Sequence, residues 1–227
     1  RRWEPNCTAA DAAAGLEERA GRCLPKCFYI NLDRRCDRRR QIEAQLDQAR
    51  GVVGCQRFRA VQARSGLLPN VASCRSHVGA LERLQSSGAA YGMVLEDDVV
   101  WATADMDAVE HHICRLGLYL QDYPVVLLAC NPGEDSSGLG NYTRFDGLIT
   151  VSACQTASAY VVRLDYMQTL IDLWRAMPET KDSWTDQAWK VLQKRDVWAM
   201  TWPVLLKQAP SWSDMGGVFT DYGGVRL

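Results

Sequence analysis

The sequence lacks a long apolar run, since its longest apolar segment, Val125 to Cys130, is far below the roughly 20 residues of a membrane-spanning helix. It also lacks a strong charge of either sign, because 26 basic and 27 acidic residues give a formal net charge of −1. A global basic field that attracts nucleic acid is therefore excluded. We expect a chain without a membrane span and without a nucleic-acid partner.

Histidine and cysteine patterns typical of metal sites are also missing. The nine cysteines form no CxxC pair, so a structural zinc site is not expected. The sequence has three histidines, and none follows His112. The odd number of cysteines leaves at least one of them unpaired if disulfides form.

The cysteines and two N-x-S/T sequons, at Asn6 and Asn141, bear on the cellular compartment. Together they favour the lumen of the secretory pathway, with a cytoplasmic protein carrying reduced thiols as the alternative. A disulfide among the cysteines of residues 7–27 would hold the start of the chain in place. Cys114 and Cys130 lie in apolar stretches and are expected to be small buried hydrophobic residues.

Strands alternate with helices after an N-terminal extension at residues 1–24. Runs rich in β-formers predict strands at 27–32, 56–61, 91–95, 125–129, 157–163, 197–201 and 204–208. Apolar residues at helical spacing predict helices at 34–49, 73–86, 105–120, 165–177 and 185–194. Ser73 is the expected cap of the second helix, and residues 131–147 are expected to form a long loop. The alternation predicts one α/β domain over residues 25–227, with a mostly parallel central sheet flanked by helices.

Three carboxylates, Glu96, Asp97 and Asp98, directly follow the predicted strand at 91–95. Ligands of α/β sheets bind at the carboxyl ends of the strands, where Asn31 is also expected. Like charges this close raise one another's pKa, and a bound Mg²⁺ or Mn²⁺ would remove the repulsion. In an extended segment, Glu96 and Asp98 would point towards one metal ion and Asp97 away from it. A solvated strand end is the alternative.

Six motifs in order resemble the pattern of glycosyltransferase family 25, which comprises bacterial lipooligosaccharide galactosyltransferases and collagen hydroxylysine galactosyltransferases. The motifs are Ile30 to Arg38, Cys74 to His77, Leu95 to Asp98, Ala159 to Arg163, Thr185 to Gln187 and Gln208 to Asp214. The resemblance implies a GT-A-like fold, a UDP-sugar donor, dependence on Mn²⁺ (or Mg²⁺) and inversion at the anomeric carbon.

The resemblance also assigns the residues of a metal site. Glu96 and Asp98 would bind the metal, which bridges the two phosphates of the donor. No late histidine is available as a third ligand, so Asp214, Gln208 or water would take that place. Asp97 would bind the ribose or the sugar of the donor, or would itself be a metal ligand.

The donor nucleotide would lie beside the first strand. The residues expected to border the base are Tyr29, Ile30, Asn31 and Leu32. Arg38 is the expected partner of the diphosphate, with a solvated helix face as the alternative. The resemblance places His77 beside the donor, although a lone helical histidine more often pairs with a backbone carbonyl.

Inversion requires one general base that removes the proton of the acceptor hydroxyl. Asp186 matches the Asp on the late helix of the family, and its alternative is an ordinary acidic residue at a helix start. The competing candidates for the base are Asp165, Asp182 and Asp214. Trp184 and Trp212 lie near the late motifs and could stack on an acceptor.

The predicted function is therefore transfer of a sugar from a UDP-sugar to a hydroxyl of a glycan or protein acceptor. Galactose is the first choice of sugar, with glucose and xylose as alternatives. A catalytically inactive relative that binds a nucleotide, glycan or protein is the second hypothesis. A metal-dependent phosphohydrolase is the third, and it would need more histidine and aspartate ligands than the sequence offers.

Overall fold

A computed structural model describes residues 25–49, 51–132 and 138–221. The predictions for residues 1–24, which are the N-terminal extension and the sequon at Asn6, lie outside the described residues. Of the three cysteines considered for a disulfide at the start of the chain, Cys7 and Cys23 lie there too, whereas Cys27 pairs with Cys55. In the described part of the chain, no helix combines the length and the apolar character that crossing a membrane requires.

The helices of the described chain are α1 (Cys36–Gln48), α2 (Pro69–Ser86), α3 (Met106–Asp122), α4 (Leu164–Arg175), α5 (Thr185–Ala188) and α6 (Lys190–Asp196). The strands are β1 (Lys26–Asn31), β2 (Cys55–Arg59), β3 (Tyr91–Glu96), β4 (Val99–Trp101), β5 (Val125–Leu127), β6 (Leu139–Tyr142), β7 (Leu148–Val151), β8 (Ala159–Arg163), β9 (Trp198–Thr201), β10 (Leu206–Gln208), β11 (Ser211–Trp212) and β12 (Phe219–Thr220).

Eight of these strands form the central sheet, in the order β2-β1-β3-β8-β5-β9-β7-β6. The pairs β1–β2, β1–β3 and β5–β9 are parallel, and β8 and β7 run against their neighbours. Six of the eight strands consequently share one direction. The predicted α/β fold with a mostly parallel central sheet is confirmed.

Helices cover both faces of the sheet. Successive strand residues point to opposite sides, so each face has its own set of apolar side chains for the helices to pack against. On β1, Phe28 and Ile30 pack into one core with residues of α2 and α4. Cys27 and Tyr29 pack into a second core with residues of α1 and α3. Complete burial of a large apolar side chain stabilises the fold by about 1.5–3 kcal/mol, so both faces contribute.

Helix α2 begins at Pro69, four residues before the predicted cap Ser73. That prediction is wrong because proline, with its fixed φ and missing N–H, serves as a first helical residue. The added turn contains Asn70, whose Nδ2 donates to the backbone oxygens of Thr180 at 2.7 Å and Ser183 at 2.8 Å. These bonds attach the start of α2 to the segment that precedes α5.

Part of the predicted loop at 131–147 is instead a strand. β6 pairs with β7 at the edge of the central sheet, and its residues are mostly exposed. A polar edge strand shows little of the hydrophobic alternation that marks a strand in sequence. The short strand β4 was also missed, and it pairs with β10 antiparallel, with Gln208 opposite Val99.

Two disulfides correct the predictions for the cysteines. Cys130 is buried as predicted and pairs with Cys154, and Cys27 pairs with Cys55 of β2. Cys114 is disulfide-bonded as well, but it is exposed, so the prediction that it is buried is wrong. Apolar flanks indicate burial but give no information about a partner distant in sequence. The expectation of an unpaired cysteine is met by Cys74, which is free and buried.

Candidate functional site

The acidic run lies where the carboxyl ends of two neighbouring parallel strands meet. Ile30 of β1 is opposite Glu96 of β3, so the residues that follow both strands come together. The side chain of Asn31 donates from Nδ2 to Asp97 Oδ2 at 2.7 Å and accepts from Arg57 Nε at 2.8 Å. The predicted placement of Asn31 beside the acidic run is therefore correct, and its hydrogen bond holds the carboxylate of Asp97.

Arg38 in α1 contacts two carboxylates of the run. Its Nη1 lies 3.2 Å from Asp97 Oδ1 and 3.4 Å from Asp98 Oδ2. Its Nη2 donates to Ser211 Oγ and to the backbone oxygen of Trp212, each at 2.8 Å. Arg38 therefore joins the acidic run to the hairpin formed by β11 and β12.

Asp98 is the least compensated carboxylate of the run. Burial and then the charge of Glu96 raise its pKa to about 7, against the opposing effect of Arg38. Its Oδ1 is buried and has no hydrogen-bond partner among the described residues. Burial also raises the pKa of Asp97, which Arg38 and Asn31 counteract. An uncompensated carboxylate oxygen of this kind matches the ligand preference of a divalent cation.

The predicted alternation of the three carboxylates assumed an extended segment, which the structure does not form. β3 ends at Glu96, and Asp97 and Asp98 lie in the turn that leads into β4. Side chains in a turn do not follow the two-residue period of a strand. All three acidic residues line one cavity.

That cavity, termed the arginine cavity, has an empty volume of about 800 Å³. Arg34 and Arg38 lie on its charged side with the acidic run. The apolar residues of its wall are Ile30, Leu32, Ala60, Val61, Ala63, Pro69, Ala72 and Met215. The structure thus brings Ile30, Leu32, Arg38 and the acidic run together, as the sequence predicts.

Three residues predicted to border the donor nucleotide, Tyr29, Asn31 and His77, do not line the arginine cavity, and Asn31 is instead buried beneath Asp97. Tyr29 faces the opposite side of β1, where its hydroxyl donates to Glu43 Oε1 at 2.6 Å. His77 is completely buried behind Glu96, with His77 Nε2 3.2 Å from Glu96 Oε1. For Tyr29 the strand period places the side chain on the far face.

A second cavity of about 850 Å³, termed the amide cavity, adjoins the first. Its amide side chains belong to Asn70, Asn131, Gln155, Gln187 and Gln208, and Trp184 also lies at its edge. Residues that line both cavities are Ser73, Glu96, Gln208 and Met215. The two cavities therefore meet at Glu96.

Asp186 of α5 lies in the amide cavity. Its Oδ2 accepts a hydrogen bond from the backbone N–H of Thr156 at 3.0 Å. Burial raises the pKa of Asp186, and the negative charge of Glu96 adds to that rise. Of its competitors, neither Asp165 nor Asp182 lines either cavity, and Asp165 instead pairs with Arg163 at 2.6 Å.

Thr156 is a functional candidate that the sequence does not reveal. Its φ of 73° is in the left-handed region, which a β-branched residue rarely adopts and which typically costs about 1–3 kcal/mol. This conformation directs its N–H to Asp186, while its Oγ1 donates to Gln208 Oε1 at 2.9 Å. No local residue pattern could have predicted that geometry.

Asp214 lines the arginine cavity but is already bound to two guanidinium groups. Arg34 contacts its Oδ1 at 2.6 Å, and Arg35 contacts its Oδ2. Within the described ranges, no three His, Cys, Asp or Glu side chains are arranged to hold a metal ion. The predicted ligand set of Glu96, Asp98 and Asp214 is therefore not assembled, because the arginines hold Asp214.

Comparisons with known proteins give no family. No family model matches the sequence, and no curated protein matches it. Among solved structures, a UDP-glucose pyrophosphorylase complexed with UDP-glucose is similar over 81% of this chain and 74% of that chain, with 10% identity and a TM-score of 0.44.

Two further solved structures have a comparable level of similarity. One is a glycosyltransferase involved in the glycosylation of the major capsid of PBCV-1, with 8% identity, a TM-score of 0.46 and coverage of 74% of each chain. The other is a mannose-1-phosphate geranyltransferase from Thermus thermophilus, with 9% identity, a TM-score of 0.45 and coverage of 83% of this chain and 77% of that chain. At such scores these likenesses do not decide function.

Proposed function

We propose that this protein transfers a sugar from a UDP-sugar donor to a hydroxyl of a glycan or protein acceptor, with a divalent metal ion. One observation carries the proposal: two adjoining cavities meet at Glu96, which is the last residue of the central strand β3 and the first of the acidic run. A group transfer between two substrates needs two such neighbouring sites, because the reacting atoms must be held about 3–3.5 Å apart.

The arginine cavity suits the donor. Its wall combines charged and apolar side chains, as the walls of small-molecule sites do. Ile30 and Leu32 offer an apolar surface to a nucleotide base, and Arg38 is placed to pair with phosphate oxygens. Galactose remains the proposed sugar, with glucose and xylose as alternatives.

Glu96 and Asp98 are the residues that would hold Mn²⁺ or Mg²⁺. The uncompensated Oδ1 of Asp98 supports this assignment, whereas both oxygens of Asp214 are paired with arginines. Remaining ligand positions would be filled by donor phosphates and water. The bound metal supplies Lewis-acid stabilisation of the departing diphosphate.

Asp186 is the proposed general base. Its raised pKa favours acceptance of a proton from the acceptor hydroxyl, and the Thr156 N–H fixes Oδ2. As that proton moves to Asp186, the acceptor oxygen bonds to the anomeric carbon, and the bond from that carbon to UDP breaks. A single displacement of this kind inverts the anomeric centre.

A binding protein without catalytic activity is the second candidate. Arg38 already compensates Asp97 and part of Asp98 by direct contact, so the acidic run is partly stabilised without a metal ion. Such a protein would bind the nucleotide or glycan in the same cavities without turnover.

The lumen of the secretory pathway is the proposed location. The disulfides Cys27–Cys55 and Cys130–Cys154 support it, since such bonds persist in oxidising compartments. A cytoplasmic location would expose these bonds to reducing thiols.

The proposed function is tested by measuring UDP release from a panel of UDP-sugars offered with glycan and peptide acceptors. The expected result is release that requires both an acceptor and Mn²⁺ and that stops when a chelator is added. Calorimetry of UDP binding complements this assay, because UDP binding without turnover identifies the binding protein and UDP binding with turnover identifies the transferase. Absence of UDP binding with and without Mn²⁺ contradicts both candidates in their nucleotide form.

A further inference from the structure

Two buried polar side chains, His77 and Tyr160, form a hydrogen-bonded chain that ends at Glu96. His77 of α2 places Nε2 3.2 Å from Glu96 Oε1 and Nδ1 3.2 Å from the hydroxyl of Tyr160 on β8. His77 and Tyr160 have no exposed surface. The ring of Trp174 packs against His77 with a centroid distance of 5.6 Å, which helps to fix the orientation of the imidazole.

The partners of His77 decide where its proton lies. A carboxylate can only accept a hydrogen bond, so His77 Nε2 must donate to Glu96. The neutral imidazole then has its lone pair on Nδ1, which accepts from the hydroxyl of Tyr160. Burial raises the pKa of Tyr160 well above its ordinary value, so its hydroxyl keeps the proton that it donates.

We infer that His77, oriented by Tyr160, is a positioning residue that holds Glu96 Oε1 and leaves Glu96 Oε2 for a metal ion at the junction of the two cavities. This inference rests on the proposed function. It gives His77 a different role from contact with the donor, because a completely buried side chain cannot touch a nucleotide in the arginine cavity.

The two kinds of support within the acidic run differ in how they engage the carboxylates. Arg38 lies against Asp97 and Asp98 together, as an ion pair with both. His77 Nε2 makes one hydrogen bond to Glu96 Oε1, which restrains that oxygen and leaves Oε2 outside the contact. Partners of this type that orient a metal ligand typically change metal affinity by about 10–100-fold when they are removed.

The inference is tested by measuring the dissociation constant of Mn²⁺ by calorimetry for the parent protein and its variants. His77→Leu is expected to weaken Mn²⁺ binding about 10–100-fold, whereas His77→Gln, which keeps a donor to Glu96, recovers most of the affinity. Tyr160→Phe, which frees the orientation of the imidazole, is expected to weaken it about fivefold. UDP affinity measured without metal should stay unchanged in all three variants.

His112 provides a matched control. Its Nδ1 also lies 3.2 Å from a tyrosine hydroxyl, that of Tyr119, and it too is buried, but its ring packs beside His111 and Tyr119 rather than beside a residue of the acidic run. His112→Leu should therefore leave the Mn²⁺ affinity of the protein unchanged. A loss equal to that of His77→Leu would indicate a general effect on the fold and would overturn the inference.

The outcomes separate this inference from the proposed function. A parent protein that binds neither Mn²⁺ nor UDP contradicts both. A parent that binds both, together with a folded His77→Leu of unchanged Mn²⁺ affinity, overturns only the positioning role. If circular dichroism shows that His77→Leu does not fold, Tyr160→Phe replaces it, and an unchanged Mn²⁺ affinity there overturns the inference.

Discussion

The two cavities that meet at Glu96 differ in the chemistry of the side chains that line them. In the arginine cavity, carboxylates and guanidinium groups lie within ion-pair distance of one another, as Arg38 does with Asp97 and Arg34 with Asp214. The amide cavity has uncharged amide side chains and the carboxylates Glu96 and Asp186. The first therefore suits a charged diphosphate, and the second suits a hydroxyl-bearing acceptor.

The cavities also differ in the kind of contact that holds their walls in place. The hairpin of β11 and β12 beside the arginine cavity is attached through arginines of the β1–α1 region, at separations of more than 170 residues. The wall of the amide cavity includes Asn131 and Gln155, each of which follows a cysteine of the Cys130–Cys154 disulfide. Ionic contacts can rearrange when a charged ligand binds, whereas a disulfide stays fixed.

The largest expected effect comes from Asp98→Asn, which should impair metal and donor binding in the arginine cavity and leave the amide cavity unchanged. Because Lewis-acid stabilisation is worth several kcal/mol, turnover should fall by about a thousandfold. Calorimetry should show that the Mn²⁺-dependent part of UDP affinity is lost. Turnover and UDP binding equal to those of the parent would contradict the role of Asp98.

Asp186→Asn should remove the general base of the amide cavity and leave the arginine cavity unchanged. Loss of a general base lowers kcat by about 10²–10⁴-fold, and UDP affinity should remain that of the parent. The pKa of Asp186 is raised, so the acidic limb of the kcat profile of the parent should lie above about pH 4, the range of an ordinary aspartate.

Asp182→Asn is the control for Asp186, since Asp182 is a nearby exposed carboxylate that lines neither cavity. Its steady-state kinetics should match those of the parent. If Asp186→Asn had the same turnover as the parent, Asp186 would be excluded as the general base.

Asp214→Asn should have a smaller effect, on the arginine cavity only. Loosening the contacts with Arg34 and Arg35 is expected to raise the KM for the donor about fivefold, because partly exposed ion pairs contribute about 1 kcal/mol. The KM for the acceptor should not change. Asp122→Asn, which removes a surface pair with Arg144, is the control, and a rise in donor KM there would argue against a specific role of the hairpin.

Thermal unfolding without metal should show the smallest effect. The pKa of Asp98 is about 7 in the folded protein against an ordinary 3.8, so its favourable contribution to stability is complete below about pH 4 and is lost as the pH rises to about 7. Asp98→Asn removes this penalty and should raise the Tm by at least about 3 °C at about pH 8. At about pH 3.5 the two Tm values should agree, and a lower Tm of the variant at the higher pH would contradict the destabilising charge of Asp98.

The elements nearest the site were predictable where local pattern decides them. Strand β3 and the acidic run after it follow from an apolar run that ends in three carboxylates, and Asn31 follows from the end of β1. In contrast, the pairing of Asp214 with Arg34 joins residues 180 positions apart, and no local pattern encodes it. The left-handed φ of Thr156 and the burial of His77 likewise depend on packing of distant segments.

The assignment of the donor to the arginine cavity and of the acceptor to the amide cavity is tested most directly by an experimental structure with UDP and Mn²⁺ bound. We predict uridine in the arginine cavity against Ile30 and Leu32, and the metal on Glu96 and Asp98, with the amide cavity left open for the acceptor. A nucleotide bound in the amide cavity, or a metal held without Asp98, would contradict the account.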